Sequence, residues 1–345
     1  MFHRLVIPAL LALLTPAASS AKAADQRPIP VLLSTDMGNE IDDQWPLIHL
    51  LANPRFVVAG IASAHAPPSS IPGAAGTSAQ LIRNIVEDRL GLLEHPPIVH
   101  GADEKLANDG TPRRSEAAEF IIEASRGYSA GKRLNLLVIG AATDAASALI
   151  MDPSLADRVR IIAMGFKSWE AGGDEFNIRN DPAAWRVILN SRVPLVAGDG
   201  AVTVKHLTVT RAEADVILRD SGAIRPWLMR DYDAWYERHI KTFEPGKRPD
   251  GSYSWPIWDH VVVAHLLGFT TVEERPRPRM GDDLKFAPAG DRRIIGWVTA
   301  IDRDQLFADF SRSIASFART HATRDPPCYT IASEPLACWR VHKEH

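Results

Sequence analysis

Val31-Leu32-Leu33-Ser34-Thr35-Asp36-Met37-Gly38-Asn39-Glu40-Ile41-Asp42-Asp43 is the stretch that decides how this chain is read. It opens with a short apolar run that lacks polar alternation, as expected of a strand covered on both faces. It ends in a loop holding four carboxylates and an amide within eight residues. Acids that close repel one another unless a cation sits among them, and a hard divalent ion bound by oxygens is the natural partner. The plainer account is a solvated acidic turn in which Asp42 or Asp43 caps the following helix. The loop's place directly after an apolar first strand, with Gly38 allowing a sharp turn, favours the metal site.

Outward from this stretch, short apolar runs at 31–34, 56–63, 134–139, 159–164 and 193–196 read as strands. Amphipathic patterns at 43–51, 78–90, 115–125, 144–151 and 182–190 read as the helices between them. Strand and helix in alternation predict an α/β fold, a mostly parallel central sheet flanked by helices. From 211 to 267 the pattern turns mostly helical, with Trp227, Tyr232, Trp235 and Tyr236, and reads as a helical insertion in one domain. Ligands of open α/β sheets bind beyond the carboxyl ends of the strands. Three further strand ends therefore matter: Gly140-Ala141-Ala142-Thr143-Asp144, the segment Glu175 to Pro182, and Trp258-Asp259-His260 before an apolar helix. Each of these alone suits an ordinary helix start.

In this order, the segments resemble the calcium-dependent nucleoside hydrolases of the inosine–uridine type. That family opens with D-T-D-P-G-x-D-D, where this chain has S-T-D-M-G-N-E-I-D-D. A G-P-L-T-N turn corresponds to Gly140–Asp144, an E-F-N segment followed by D-P to Glu175-Phe176-Asn177 and Asp181-Pro182, and a final H-D to Trp258-Asp259. The resemblance spans residues 30 to 270 and implies Ca²⁺ and hydrolysis of an N-ribosidic bond. It implies that Asp36, Asp43, Asp259 and the backbone carbonyl of Thr143 hold the calcium. Asp36 would also be the base that deprotonates the attacking water. Asp42 would hold the ribose 2-hydroxyl, Glu175 and Asn177 the far hydroxyls, with Asn39 and Trp258 completing the substrate contacts. The chemistry is coherent in its own right: cleavage builds positive charge on the sugar, and carboxylates around the ring stabilise it.

Two departures from the family pattern carry expectations of their own. The first loop lacks the proline and is two residues longer, through Asn39-Glu40. Trp258 stands where the family has a histidine, and an indole N–H cannot deliver a proton. Trp258 suits stacking on a base instead, so purine ribosides are the expected substrates. His65 and His239 are the candidate substitute acids.

The chain's ends and composition bound the rest. An N-terminal Met-Phe-His-Arg, an apolar run from 5 to 14 and Ala21-Lys22-Ala23 read as a signal peptide over residues 1–23, making the protein periplasmic or secreted. The domain is then expected over 24–322, with a tail at 323–345 in which Cys328 and Cys338 form a disulfide. Of 345 residues, 46% are hydrophobic and 23% charged, enough for a full core. A net charge of −3 without a basic stripe argues against nucleic acid. No second apolar run reaches membrane-spanning length, so no membrane partner is expected after signal removal. The expected partner is a nucleoside or related glycoside, with a homo-oligomer left open. Two other classes remain in view: an exported nucleoside- or sugar-binding protein that kept the pocket without turnover, and a structural or carbohydrate-associated module.

Overall fold

Val31, Leu32 and Leu33 are wholly enclosed, and they face two different cores. Val31 and Leu33 join one apolar cluster with Leu137, Ile139, Ile162 and Met164. Leu32 joins the other with Leu136, Val138, Ile161 and Ala163. Successive strand residues point to opposite faces, so a run apolar at every position requires cover on both sides. The computed structural model describes residues 27–38, 40–66, 74–239 and 254–325, and the helical cover is present on both faces.

The central sheet is built from β1 (Ile29–Thr35), β2 (Phe56–Ser63), β3 (Ile98–Val99), β4 (Leu134–Ile139), β5 (Val159–Met164) and β6 (Leu195–Gly198). Small antiparallel pairs are formed by β7 (Thr208–Thr210) with β8 (Ser254–Pro256), and by β10 (Pro278–Met280) with β11 (Phe286–Pro288). The last sheet strands are β9 (Thr270–Pro276) and β12 (Ile294–Ile301). The order is β3-β2-β1-β4-β5-β6-β12-β9. All neighbours are parallel except β12 and β9. Strand order reverses between β1 and β4, which places a crevice beyond their carboxyl ends. Gly140, just after β4, lies so close to β1 that a Cβ there would stand 2.8 Å from the amide nitrogen of Asp36.

Most expected elements are present, some displaced. The strand expected at 193–196 is Leu195–Gly198, because Pro194 cannot donate to a ladder. The helix expected at 78–90 starts at Ala74 and is π-helical from Asn84 to Arg89. The 211–267 region is mainly helical, through Arg211–Ile217, Ile224–His239 and Val261–Leu266. Trp227, Trp235 and Trp255 are buried, so much of its aromatic content is core. Beyond 270, β9, β12 and the helix Arg303–Thr320 complete the fold. No helix among the described residues is long and apolar enough to cross a membrane. The expected signal peptide at 1–23, Asn39, the side chain of His239, and Cys328 with Cys338 lie outside the described residues.

Candidate active site

At the end of β1 the chain turns through Gly38, whose φ of 99° is open to glycine and costly for other residues. That turn sends Asp36 and Asp42-Asp43 back over the same crevice. All three are buried, at 3%, 2% and 1% exposure. The 3-10 turn Trp258–His260 brings Asp259 to the same crevice, and its backbone N–H donates to Asp42 Oδ2 at 3.1 Å. Carboxylate oxygens of Asp42, Asp43 and Asp259 lie within 4.8 Å of one another. The longer loop thus leaves Asp42 in the tightest group of acids, with Asp36 beside it. Thr35 Oγ1 donates to Asp43 Oδ1 and orients it.

The electrostatics show what crowding these acids costs. Burial, and then Asp42, push Asp36 well above the usual carboxylate range. Burial also lifts Asp43, with Asp36 and Asp42 adding to it, and lifts Asp259 beside the same acids. Asp42 rises to about 6 and Glu175 to about 7, burial being the largest cause for both. Asp36 Oδ2 and Asp42 Oδ1 are buried without a hydrogen-bond partner among the described residues. Unpaired buried carboxylates cost several kcal/mol each, of the order seen for lone buried charges. The donors are all hard oxygens, and two of them wait for a partner. The residues fit a divalent cation such as Ca²⁺.

These acids form one wall of a cavity of about 650 Å³. Glu40, from the longer loop, lines it too, as do Glu175 and Asn177. Glu175 caps the short helix Phe176–Asn180 by accepting from Ile178 N at 3.3 Å, and Asn177 donates to Met164 O at 3.3 Å. The cavity also has an apolar lining, from Met164, Val204, Trp255 and Trp258. Trp258 stands edge-on to Trp255 with ring centres 5.3 Å apart. Sequence reasoning overlooked the loop from 165 to 174, which lines the cavity through Lys167, Ser168 and Ala171. Its signal was the glycine content right after a strand: Gly165, Gly172 and Gly173.

The Thr143 and His65 side chains share one hydrogen-bonded cluster with Asp181. Thr143 Oγ1 donates to Asp181 Oδ2 at 2.6 Å and so receives the N–H of His65 Nε2 at 2.8 Å. Asp181 also accepts from the backbone of Leu106 and Ala184. Burial holds His65 below the usual imidazole range. Neither residue is among those lining the cavity.

Fold and cavity define an α/β protein with an acid-lined crevice at its strand ends. The family model for inosine-uridine preferring nucleoside hydrolase matches residues 31–282. The chain belongs to that family, and by membership it is an N-ribosyl hydrolase. The pyrimidine-specific ribonucleoside hydrolase RihA of Salmonella paratyphi C (strain RKS4594) is 26% identical over 278 residues, 71% of this chain and 82% of that protein. Among solved structures, the purine-preferring ribonucleoside hydrolase from Gardnerella vaginalis superposes with a TM-score of 0.67 at 19% identity, over 84% of this chain and 99% of its own. The plant nucleoside hydrolase PpNRh1 gives 0.66 at 16%, with the same coverage. The effector protein XOO4466 gives 0.61 at 17%, covering 85% and 94%. At these identities the structural likenesses speak for the fold.

Proposed function

We propose that the protein hydrolyses the N-glycosidic bond of ribonucleosides in a Ca²⁺-dependent reaction, with a preference for purine bases. The observation that carries this reading is one cavity lined both by buried acids and by the indoles of Trp255 and Trp258. Asp42, Asp43 and Asp259 would hold the cation together with Asp36, and the Thr143 carbonyl is the remaining donor the family pattern implies. When bound, Ca²⁺ would orient the sugar diol and lower the pKa of a nearby water. Asp36, with one oxygen unengaged, takes the proton from the attacking water. The water oxygen bonds to the anomeric carbon, the C–N bond breaks, and the base leaves with the electron pair. Asp42, Glu175, Asn177 and Asn39 accept or donate to the sugar hydroxyls, and the surrounding carboxylates offset the positive charge that develops on the ring.

Trp258 supplies a face for the base but no proton. A purine can be protonated on its own ring nitrogens, which removes the need for an acid at that position. The sequence at residues 1–23 supports an exported enzyme, periplasmic or secreted. Incubation of the purified protein with inosine, adenosine and uridine, followed by chromatography, tests the proposal. Free base and ribose are expected, fastest from the purine ribosides. Tight binding of nucleosides without release of base would instead make it a binding protein.

A further inference from the structure

Beneath the acid wall runs a chain of three side chains that the hydrolysis itself does not use. His49 comes from the helix Gln44–Ala52, which begins directly after Asp43. His260 follows Asp259, and Asp309 comes from the helix Arg303–Thr320. His49 Nδ1 and His260 Nε2 are 2.9 Å apart, and His49 Nε2 is 3.0 Å from Asp309 Oδ1. Both rings are fully enclosed, while the Asp309 side chain is 20% exposed. Asn53 donates to the same Asp309 oxygen at 2.7 Å, and Arg312 to the other at 3.0 Å.

The proton positions follow from these partners. Asp309 receives donors on both oxygens and is an acceptor for His49 as well. His49 Nε2 therefore carries its hydrogen, and Nδ1 of the neutral ring is bare. His260 Nε2 must then donate to His49. That leaves His260 Nδ1 as a lone pair, and it has no hydrogen-bond partner among the described residues. The reverse tautomer would strand a buried N–H at that place, and orphaned buried N–H groups are the rarer defect. Both arguments give one direction, from His260 through His49 to Asp309.

We infer that Asp309, His49 and His260 form a positioning chain that sets the spacing of the acids in the cavity. It joins the two segments that carry them, one leading from Asp42-Asp43 into the helix of His49, the other running through Asp259 to His260. The same segments meet again on the cavity side, where the Asp259 N–H donates to Asp42. A three-residue 3-10 turn has poor internal hydrogen bonding and needs such outside links. Phe310, Phe307 and Trp45 surround His260 edge-on, with centres 5.1, 5.9 and 6.4 Å away, and prevent the ring from turning aside. Any shift of His260 carries Asp259 and Trp258 with it, so cation and base contacts move together.

This inference rests on the cation reading above, and full-length protein tests it with three variants. His49→Phe removes both hydrogen bonds and keeps the ring, Asp309→Leu removes the terminal acceptor, and Asp309→Asn restores one. Nitrogen NMR of the imidazoles is expected to show His260 protonated at Nε2 alone. Calorimetry is expected to show Ca²⁺ bound about tenfold or more weakly by His49→Phe and Asp309→Leu, the usual scale for groups that orient metal ligands. Their kcat should fall with the affinity, while Asp309→Asn stays within about threefold of wild type, well under that scale. If His49→Phe does not fold, the partly exposed Asp309 carries the test. A His260 protonated at Nδ1, or a folded Asp309→Leu with wild-type Ca²⁺ affinity and kinetic constants, overturns the inference. A wild type that binds no Ca²⁺ overturns the cation reading and this inference together. A wild type that binds it, beside variants that bind equally well, overturns this inference alone.

Discussion

The two ends of the central sheet both bury charge, and they treat it in opposite ways. At the amino ends of β6 and β12, Arg277 is 3% exposed and donates to the carbonyls of Ile294, Ser191 and Val193 at 3.0, 3.0 and 2.7 Å. Burial, and then Arg293, bring it down to about 10, yet the guanidinium remains charged and its donors are used. At the carboxyl ends of β1 and β4, acids crowd together and two of their oxygens have no partner among the described residues. A satisfied buried charge is a brace. An unsatisfied cluster of hard oxygens is chemistry that suits a bound cation.

This contrast can be broken most forcefully at Asp36. Asp36→Asn should lower kcat/KM by about 10³-fold, the scale of a lost general base. Its melting temperature without metal should match or exceed that of wild type, because one repelling charge is gone. Loss of fold in place of activity would erase the difference between the two ends. The converse variant, Arg277→Met, should cost about 2–3 kcal/mol of stability by denaturant titration, since it strands backbone carbonyls. Ca²⁺ affinity should stay unchanged, and a coupled loss would show the brace to be part of the site.

A smaller effect is expected within the cavity. Trp258→Ala should reduce kcat/KM on inosine roughly ten- to a hundredfold, since stacking contributes on the order of 1–3 kcal/mol per base. Uridine should lose less. Equal losses on both substrates would show that the indole serves the sugar or the fold, and not the base.

The smallest effect concerns Glu175, which burial raises to about 7. A carboxyl raised in the folded state binds its proton more tightly than the unfolded chain does. Stability from this group is therefore present below the unfolded value and declines as pH rises toward 7. Glu175→Gln should melt like wild type near pH 4. At pH 8 without ligand it should melt higher, by about 2–4 °C if the relief is near 1 kcal/mol. A variant no more stable at pH 8 would place Glu175 among well-solvated groups.

The same contrast explains what could be read from the sequence. The β1 loop was legible because its four acids fall within eight residues of chain, and both strand faces announced their burial through unbroken apolar runs. Asp259, Glu175 and Asn177 were legible only through resemblance, since single acids at separate strand ends look like helix caps, which is what Glu175 also is. The loop bearing Lys167 was marked only by its glycines, and the pair His49 and Asp309 was not legible. His49 sits in an apolar helix 260 residues before Asp309, and nothing local marks that pairing. β9 carries polar residues on the sheet's outer edge, which hid it from a search for continuous apolar runs, whereas β12 is a largely apolar run that the search passed over.

Calcium dependence tests the central claim most directly. Protein stripped with a chelator should release no ribose from inosine, and added Ca²⁺ should restore the rate in a saturable manner. Undiminished hydrolysis after stripping would contradict the account, because the crowded acids at the strand ends would then be working without the cation that explains them.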